Sequence, residues 1–301
     1  MKVVLSTTIL SLIIAATPAK RVQSQTNNIN IEFKSSETAV YVLDKNEILK
    51  CSKSHKPLTQ RCLLFASLPD YELASVCDPE KGWIAAVSKD SVILKNLSLG
   101  QVKEIKVSLG LNATSIECFM SSTILQVLIG NYTGYVFVLD FDPKSGDIKT
   151  RLGQLGSSTI RYLRALGTGN IVSCSADGLF YLANINAAKT VPAWENIDLI
   201  SKFPQKKFAF NMTGELAACA FSDGILCGID SESNFECFKL AGVKKALKGA
   251  VGKKVDKFFG YNSSFYFSTE NGVFNIQNRE KIADTLSAFF NLKLIDLPHK
   301  G

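Results

Sequence analysis

The chain has 301 residues, 46% of them hydrophobic and 20% charged, with a formal net charge of +7. That balance excludes a disordered polyelectrolyte or a fibrous repeat and is long enough for one substantial core or an array of small repeats. With only two histidines, His55 and His299, the chain has little material for His-based nucleophilic or zinc chemistry.

The first element is a leader. After Lys2 runs Val3 to Ala16, an apolar stretch of 14 residues broken only by small Ser and Thr, with Ala15, Ala16 and Ala19 ahead of Lys20-Arg21. A membrane span needs about 20 residues, so this run is too short to cross and fits the apolar region of a signal peptide. Cleavage after Ala19 or after Ser24 meets the small-residue requirement. The expected organisation is a signal peptide over 1–24 and a single domain over 25–301, secreted and without stable membrane insertion. The alternative keeps the segment as a buried strand in a cytoplasmic protein.

From residue 38 onward the chain repeats one pattern of apolar strand, tight turn and apolar strand. The copies are TAVYVLDKNEILKC (38–51), GWIAAVSKDSVILKN (82–96), ILQVLIGNYTGYVFVLD (124–140), GNIVSCSADGLFYLANI (169–185), ELAACAFSDGILCGID (215–230) and SFYFSTENGVFNIQ (264–277). Aligned on Glu47, Ser91, Gly134, Gly178, Gly224 and Gly272, they recur at intervals of 44, 43, 44, 46 and 48 residues. Asp177-Gly178, Asp223-Gly224 and Asn271-Gly272 supply the positive φ that tight hairpins need. Nearly continuous apolar strands such as LAACAF suit sheets covered on both faces. Further strands precede most hairpins (YELASVC, TSIECFM, IRYLRAL, KKFAFNM, VDKFFGY) and others follow (RCLLFAS, QVKEIKV, DIKTRLG, FECFKL). Four strands per unit of about 40–50 residues is the signature of a β-propeller. The expected fold is all-β, with six four-stranded antiparallel blades over about 29–290. A seven-bladed alternative joins FFNLKLIDL (289–297) to the N-terminal segment.

In KKFAFNMTGELAACAFSDGILCGID (206–230) and GNIVSCSADGLFYL the chain resembles the WD-repeat propellers: an aromatic strand, a Gly turn, a small-residue strand, Asp-Gly and a closing apolar strand. The resemblance implies the propeller fold and a scaffold role. The family's Gly-His and Trp-Asp dipeptides are absent, so its structural network of His, Asp and Ser is not carried over.

Eight cysteines are compatible with disulfides in an oxidising compartment. Cys51–Cys62 and Cys227–Cys237 sit at matched offsets from Glu47 and Gly224, so each is expected to close a hairpin between third and fourth strands. A bond over a loop of that size contributes on the order of 2–3 kcal/mol. Cys77 and Cys118 fall in first strands of consecutive units, and Cys174 and Cys219 are placed in second strands; bonded and buried-thiol states remain open for these four. Asn96, Asn112, Asn131, Asn211 and Asn262 each begin a glycan acceptor tripeptide, and Asn131, Asn211 and Asn262 fall at predicted turns.

No nucleophile has a visible base and no Gly-rich phosphate loop is present, so no catalytic, metal-ligating or cofactor-binding residue is assigned. Asp140, Asp142 and Asp147 in DFDPKSGD could approach a calcium ion, but their spacing lacks the helix-loop-helix ligand pattern and reads as a solvated acidic loop. Losing Lys2, Lys20 and Arg21 with the leader would take +7 to +4. In KKALKGAVGKKVDK, Lys244, Lys245, Lys248, Lys253, Lys254 and Lys257 concentrate charge in what reads as the connection between units five and six. Such a cluster suits a sulfated or otherwise anionic partner, whereas nucleic acid would call for interleaved stacking aromatics. The expected function is a monomeric, glycosylated, non-catalytic module that binds protein or anionic glycan. Its alternatives are a secreted propeller hydrolase with a channel metal and an intracellular WD-repeat-like scaffold.

Overall fold

The computed structural model describes residues 30–35, 39–44, 47–52, 62–89, 91–106, 112–167, 169–187, 201–203, 205–286 and 288–289. They form six antiparallel sheets arranged as the blades of a propeller. Blade 1 holds β1 (Glu32–Ser35), β2 (Ala39–Asp44), β3 (Glu47–Ser52) and β4 (Cys62–Ser67). Blade 2 holds β5 (Leu73–Asp78), β6 (Trp83–Val87), β7 (Ser91–Asn96) and β8 (Gln101–Lys106). Blade 3 holds β9 (Ala113–Ser121), β10 (Ile124–Asn131), β11 (Tyr135–Phe141) and β12 (Ile148–Gln154). Blade 4 holds β13 (Ile160–Gly167), β14 (Asn170–Ser175), β15 (Leu179–Asn184) and β17 (Gln205–Ala209), and the short β16 (Ser201–Lys202) pairs parallel with the outer strand of blade 3. Blade 5 holds β18 (Leu216–Ser222), β19 (Ile225–Asp230), β20 (Asn234–Lys239) and β21 (Lys244–Ala250). Blade 6 holds β22 (Lys257–Tyr261), β23 (Ser264–Thr269), β24 (Gly272–Asn275) and β25 (Lys281–Ala283).

The six-bladed expectation holds. Of the two segments that the seven-bladed alternative joined, the N-terminal one is described from residue 30 and supplies the inner strand of blade 1, and 290–297 lie outside the described residues. Six apolar clusters account for the continuous hydrophobic strands, because each cluster fills the space between two neighbouring blades. Both faces of a blade are therefore buried, and alternation of apolar and polar residues is lost.

One unit departs from the expected register. Glu47, Ser91, Gly134, Gly178 and Gly272 all fall at the turn between second and third strands, but Asp223-Gly224 joins the first and second strands of blade 5. KKFAFNM, expected to open unit five, instead supplies the outer strand of blade 4, with Phe208 opposite Phe180. Blade 5 then draws its fourth strand from Lys244–Ala250, the segment expected to be a connection. The true second-to-third turn of blade 5 is Ser231-Glu232-Ser233. It has no glycine: the Asp230 carboxylate accepts hydrogen bonds from the backbone of Glu232 (3.0 Å) and Asn234 (2.7 Å), while Ser233 takes φ 65°. Asn131 performs the same service in blade 3, accepting from the amides of Thr133 and Tyr135.

Among the described residues no strand is exchanged between the first and last blades. The ring closes where Asn30 bridges Phe258 in parallel and the Ile31 amide donates to the Phe258 carbonyl at 3.3 Å. Lys257 reaches Asp44 at 2.6 Å across the same seam. Phe289 fills the remaining gap, its ring centroid 5.2 Å from Phe259 and 4.8 Å from Tyr266.

Candidate functional site

The central channel comes first, because propeller enzymes would place metals there. Along β1, Glu32 and Lys34 share one face. Lys34 Nζ lies 2.7 Å from Glu117 Oε1 on β9 and donates to the Cys118 carbonyl at 3.1 Å. Arg164 on β13 stands 4.0 Å from Glu32 and 3.8 Å from the second oxygen of Glu117, and it donates to the Phe33 carbonyl at 3.5 Å. Asn30 also donates to the Arg161 carbonyl at 3.2 Å. These contacts run from blade 1 to blades 3 and 4, so β1 is tied across the channel. Two carboxylates face two cations, and the charges cancel within the cluster. Burial, reinforced by Glu117, raises Glu32 from 4.5 to about 7. Burial also lowers Lys34, while Arg164, which burial alone would push down, is held up by Glu117, Tyr162 and Glu32.

The acidic loop of blade 3 is likewise committed to its own fold. Asp140 takes a bidentate pair from Arg151 at 2.9 and 2.8 Å, and Gln126 adds a third donor at 2.8 Å. Asp142 accepts from the Lys144 amide, the bond chiefly responsible for lowering its carboxyl below the usual range. Among the described residues, no group of three or more His, Cys, Asp and Glu is arranged to hold a metal ion.

The lysines lie elsewhere than expected. Lys244, Lys245 and Lys248 project from β21, the outer strand of blade 5; Lys253 and Lys254 are exposed on the following loop; Lys257 opens the inner strand β22 at the ring seam. A bulge at Ala246 pairs Lys245 with Phe238 and Lys248 with Glu236, which puts both lysines on the face that Phe238 turns toward blade 4. Lys245 forms an ion pair with the fully buried Glu236, and Lys248 Nζ donates to the Asn211 carbonyl at 2.9 Å. Opposite them, Lys206 shares the face of Phe208 on β17, the outer strand of blade 4. Beside Lys206 opens a groove of about 600 Å³ lined by Leu166, Ile171 and Leu182 of blade 4 and by Leu240, which follows β20 of blade 5.

Lys206 on this groove and the exposed Lys207, which projects from the opposite face of β17 beside Tyr181, were missed by sequence reasoning, which gave KKFAFNM to an inner strand. The signal was present, since an inner strand covered on both faces has no room for two adjacent lysines.

The disulfides tie blades as well as hairpins. Cys227–Cys237 is bonded, but across the second and third strands of blade 5 rather than the third and fourth. Cys51 faces Cys62 between the third and fourth strands of blade 1, and the Cys62 side chain lies outside the described residues. Cys77–Cys118 joins the inner strands of blades 2 and 3. Cys174–Cys219 joins blade 4 to blade 5, with Cys219 on a first strand, not a second, because of the slip in register.

Of the five acceptor asparagines, Asn112, Asn211 and Asn262 are exposed. Asn96 and Asn131 are turned inward at 2% and 6% exposure, their side-chain oxygens accepting backbone amides of their own turns.

No protein-family model matches this chain, and no curated protein matches it. Among solved structures it is similar to the Cps50 (Swd1) β-propeller domain of Myceliophteria_thermophila, with a TM-score of 0.53 at 12% identity over 83% of this chain and 79% of that one. It is also similar to the computationally designed Ika8 protein, with a TM-score of 0.49 at 14% identity over 84% and 72% of the two chains. Likeness at this identity shows the propeller fold and assigns no family.

Proposed function

We propose that the protein is a secreted, glycosylated and non-catalytic propeller that binds an anionic protein or glycan with the outer strands of blades 4 and 5. The observation that carries this reading is the set of lysines on those outer strands: Lys206 lines an open groove with no carboxylate in its lining, and Lys244, Lys245 and Lys248 project from β21. A surface of one sign attracts an opposite partner over distances set by the Debye length, about 10 Å at 0.1 M salt and about 3 Å at 1 M. Secretion is supported by the leader-like segment and by three disulfides among the described residues. Exposure favours Asn112, Asn211 and Asn262 as the glycan carriers.

The test replaces Lys206, Lys244 and Lys248 with Ser in protein recovered from a secreting eukaryotic cell. Lys245 is left in place because its loss would strand the buried Glu236 carboxylate. The variant is expected to leave a heparin column at lower salt than the parent. Unchanged elution would remove these lysines from the account, and turnover of a lactone, ester or glycoside by the parent would remove the non-catalytic reading. Mass analysis of the same sample is expected to show a chain starting at Lys20 or Gln25.

A further inference from the structure

The channel cluster has no part in the binding surface, yet it gathers four charged side chains from three blades. Two carboxylates from different blades, Glu32 on β1 and Glu117 on β9, share one guanidinium, Arg164 on β13. Glu117 Oε1 takes both Lys34 at 2.7 Å and the Ala165 amide at 3.4 Å, whereas its Oε2, like the buried Oε2 of Glu32, accepts no hydrogen bond. Among the described residues, Arg164 at 4.0 Å is the cation within ion-pair reach of Glu32, with Lys34 on the same strand acting at longer range. Beside Glu32 is a cavity of about 30 Å³, lined by Leu43, Leu73, Ile116, Ser115 and Arg161, with room for about one water. An ionised Glu32 sits largely removed from water next to a second carboxylate, so desolvation and Glu117 favour its proton while Lys34 and Arg164, which would be left one positive charge in excess, oppose it.

We propose that the Glu32 carboxyl is a proton-binding site that governs how firmly the N-terminal strand β1 is held across the channel. Geometry gives the site its leverage. Among the described residues the strand is laddered to β2 over four positions and meets blade 6 through the Asn30–Phe258 bridge and the Phe33 ring, while its grip on blades 3 and 4 runs through Lys34, Arg164, Asn30 and the charge state of Glu32. The groups that face Glu32 are Lys34 on its own strand, Glu117 on β9, and Tyr162 and Arg164 on β13, with Arg161 across the cavity. Desolvation comes first and Glu117 second in lifting its titration toward neutrality. The folded-state value lies above that of the unfolded chain, so the proton's contribution is complete below about 4.5 and is lost as pH rises through about 7. The clasp is tight in acid and loosens on the alkaline side of neutrality.

The experiment is hydrogen exchange of the full chain followed by mass spectrometry between pH 4.5 and 8.5, with rates divided by their intrinsic pH dependence. Protection of residues 31–35 is expected to fall by about tenfold per pH unit from 4.5 to about 7 and then to level off. Peptides from β10 and β11 serve as the folding control and should stay flat. In Glu32→Gln, which keeps shape and removes the titration, β1 protection should be independent of pH. In Glu117→Gln, loss of the like charge should move the midpoint toward the ordinary carboxylate range. A parent profile already flat over residues 31–35, or one that persists in Glu32→Gln, would overturn the proposal.

Discussion

Two kinds of junction hold neighbouring blades together, and they differ in chemistry more than in area. Blades 2 and 3 are stitched by Cys77–Cys118 and share a cluster of Val87, Leu94, Val127, Ile129 and Leu139 that is fully buried. Blades 4 and 5 are stitched by Cys174–Cys219. The seam between blades 6 and 1, where the chain's two ends must meet, has no disulfide among the described residues. It holds one parallel bridge, the Lys257–Asp44 pair, and an apolar cluster that includes Val40, Val42, Val273 and the rings of Phe33, Phe259, Tyr261, Tyr266 and Phe289. A covalent stitch restricts the unfolded chain and is indifferent to pH, whereas the seam depends on packing and on buried charge. The expectation that follows is that a ring with no strand exchanged at closure among the described residues opens first where first and last blades meet.

The largest effect is expected from the aromatic plug of that seam. Phe289 is 1% exposed and touches three other rings, so Phe289→Ala should cost about 3–5 kcal/mol in urea unfolding, through lost burial and the cavity left behind. A cost below about 1 kcal/mol would mean that the seam is held by something else. Next comes the stitched junction. Replacing Cys77 and Cys118 together by Ala opens a loop with a sequence separation of 41 and should cost about 2–4 kcal/mol, an effect constant between pH 5 and 8. If that loss varied with pH as the protection of β1 is expected to, the contrast between the two joints would fail.

The fold was legible where local chemistry repeats. Gly178 at φ 78° and Gly224 at φ 75° could be placed as turns because few other residues tolerate that backbone. Blade 5 was misread where a side chain does glycine's work: Asp230 shapes a Ser-Glu-Ser turn, and no dipeptide announces it. The slip then carried KKFAFNM into the wrong blade, turned β21 into a supposed loop, and hid Lys206 and Lys207 as lysines of an outer strand. The inter-blade disulfides were half legible, since periodicity places Cys77 and Cys118 on equivalent strands but does not say that these strands are neighbours close enough to bond. The channel cluster was not legible at all. Its members carry no motif, and contacts such as Asn30 to Arg161 span 131 positions that only ring closure brings together.

The two ends of the sequence bear on the same comparison. Residue 30 leads directly into the channel strand. The proposed pH dependence at Glu32 would let closure be firm in acid and looser above neutrality without any change in the disulfide-stitched blades.

The account's central claim, that the ring is weakest at the seam between blades 6 and 1, is tested most directly by native-state hydrogen exchange in rising, sub-denaturing guanidinium. The prediction is that amides of β1 and β22 open together, at a free energy well below that of the β5–β9 and β14–β18 junctions, and merge with global unfolding only near the transition. A single opening free energy shared by all six inner strands, or earlier opening of the disulfide-stitched junctions, would contradict it.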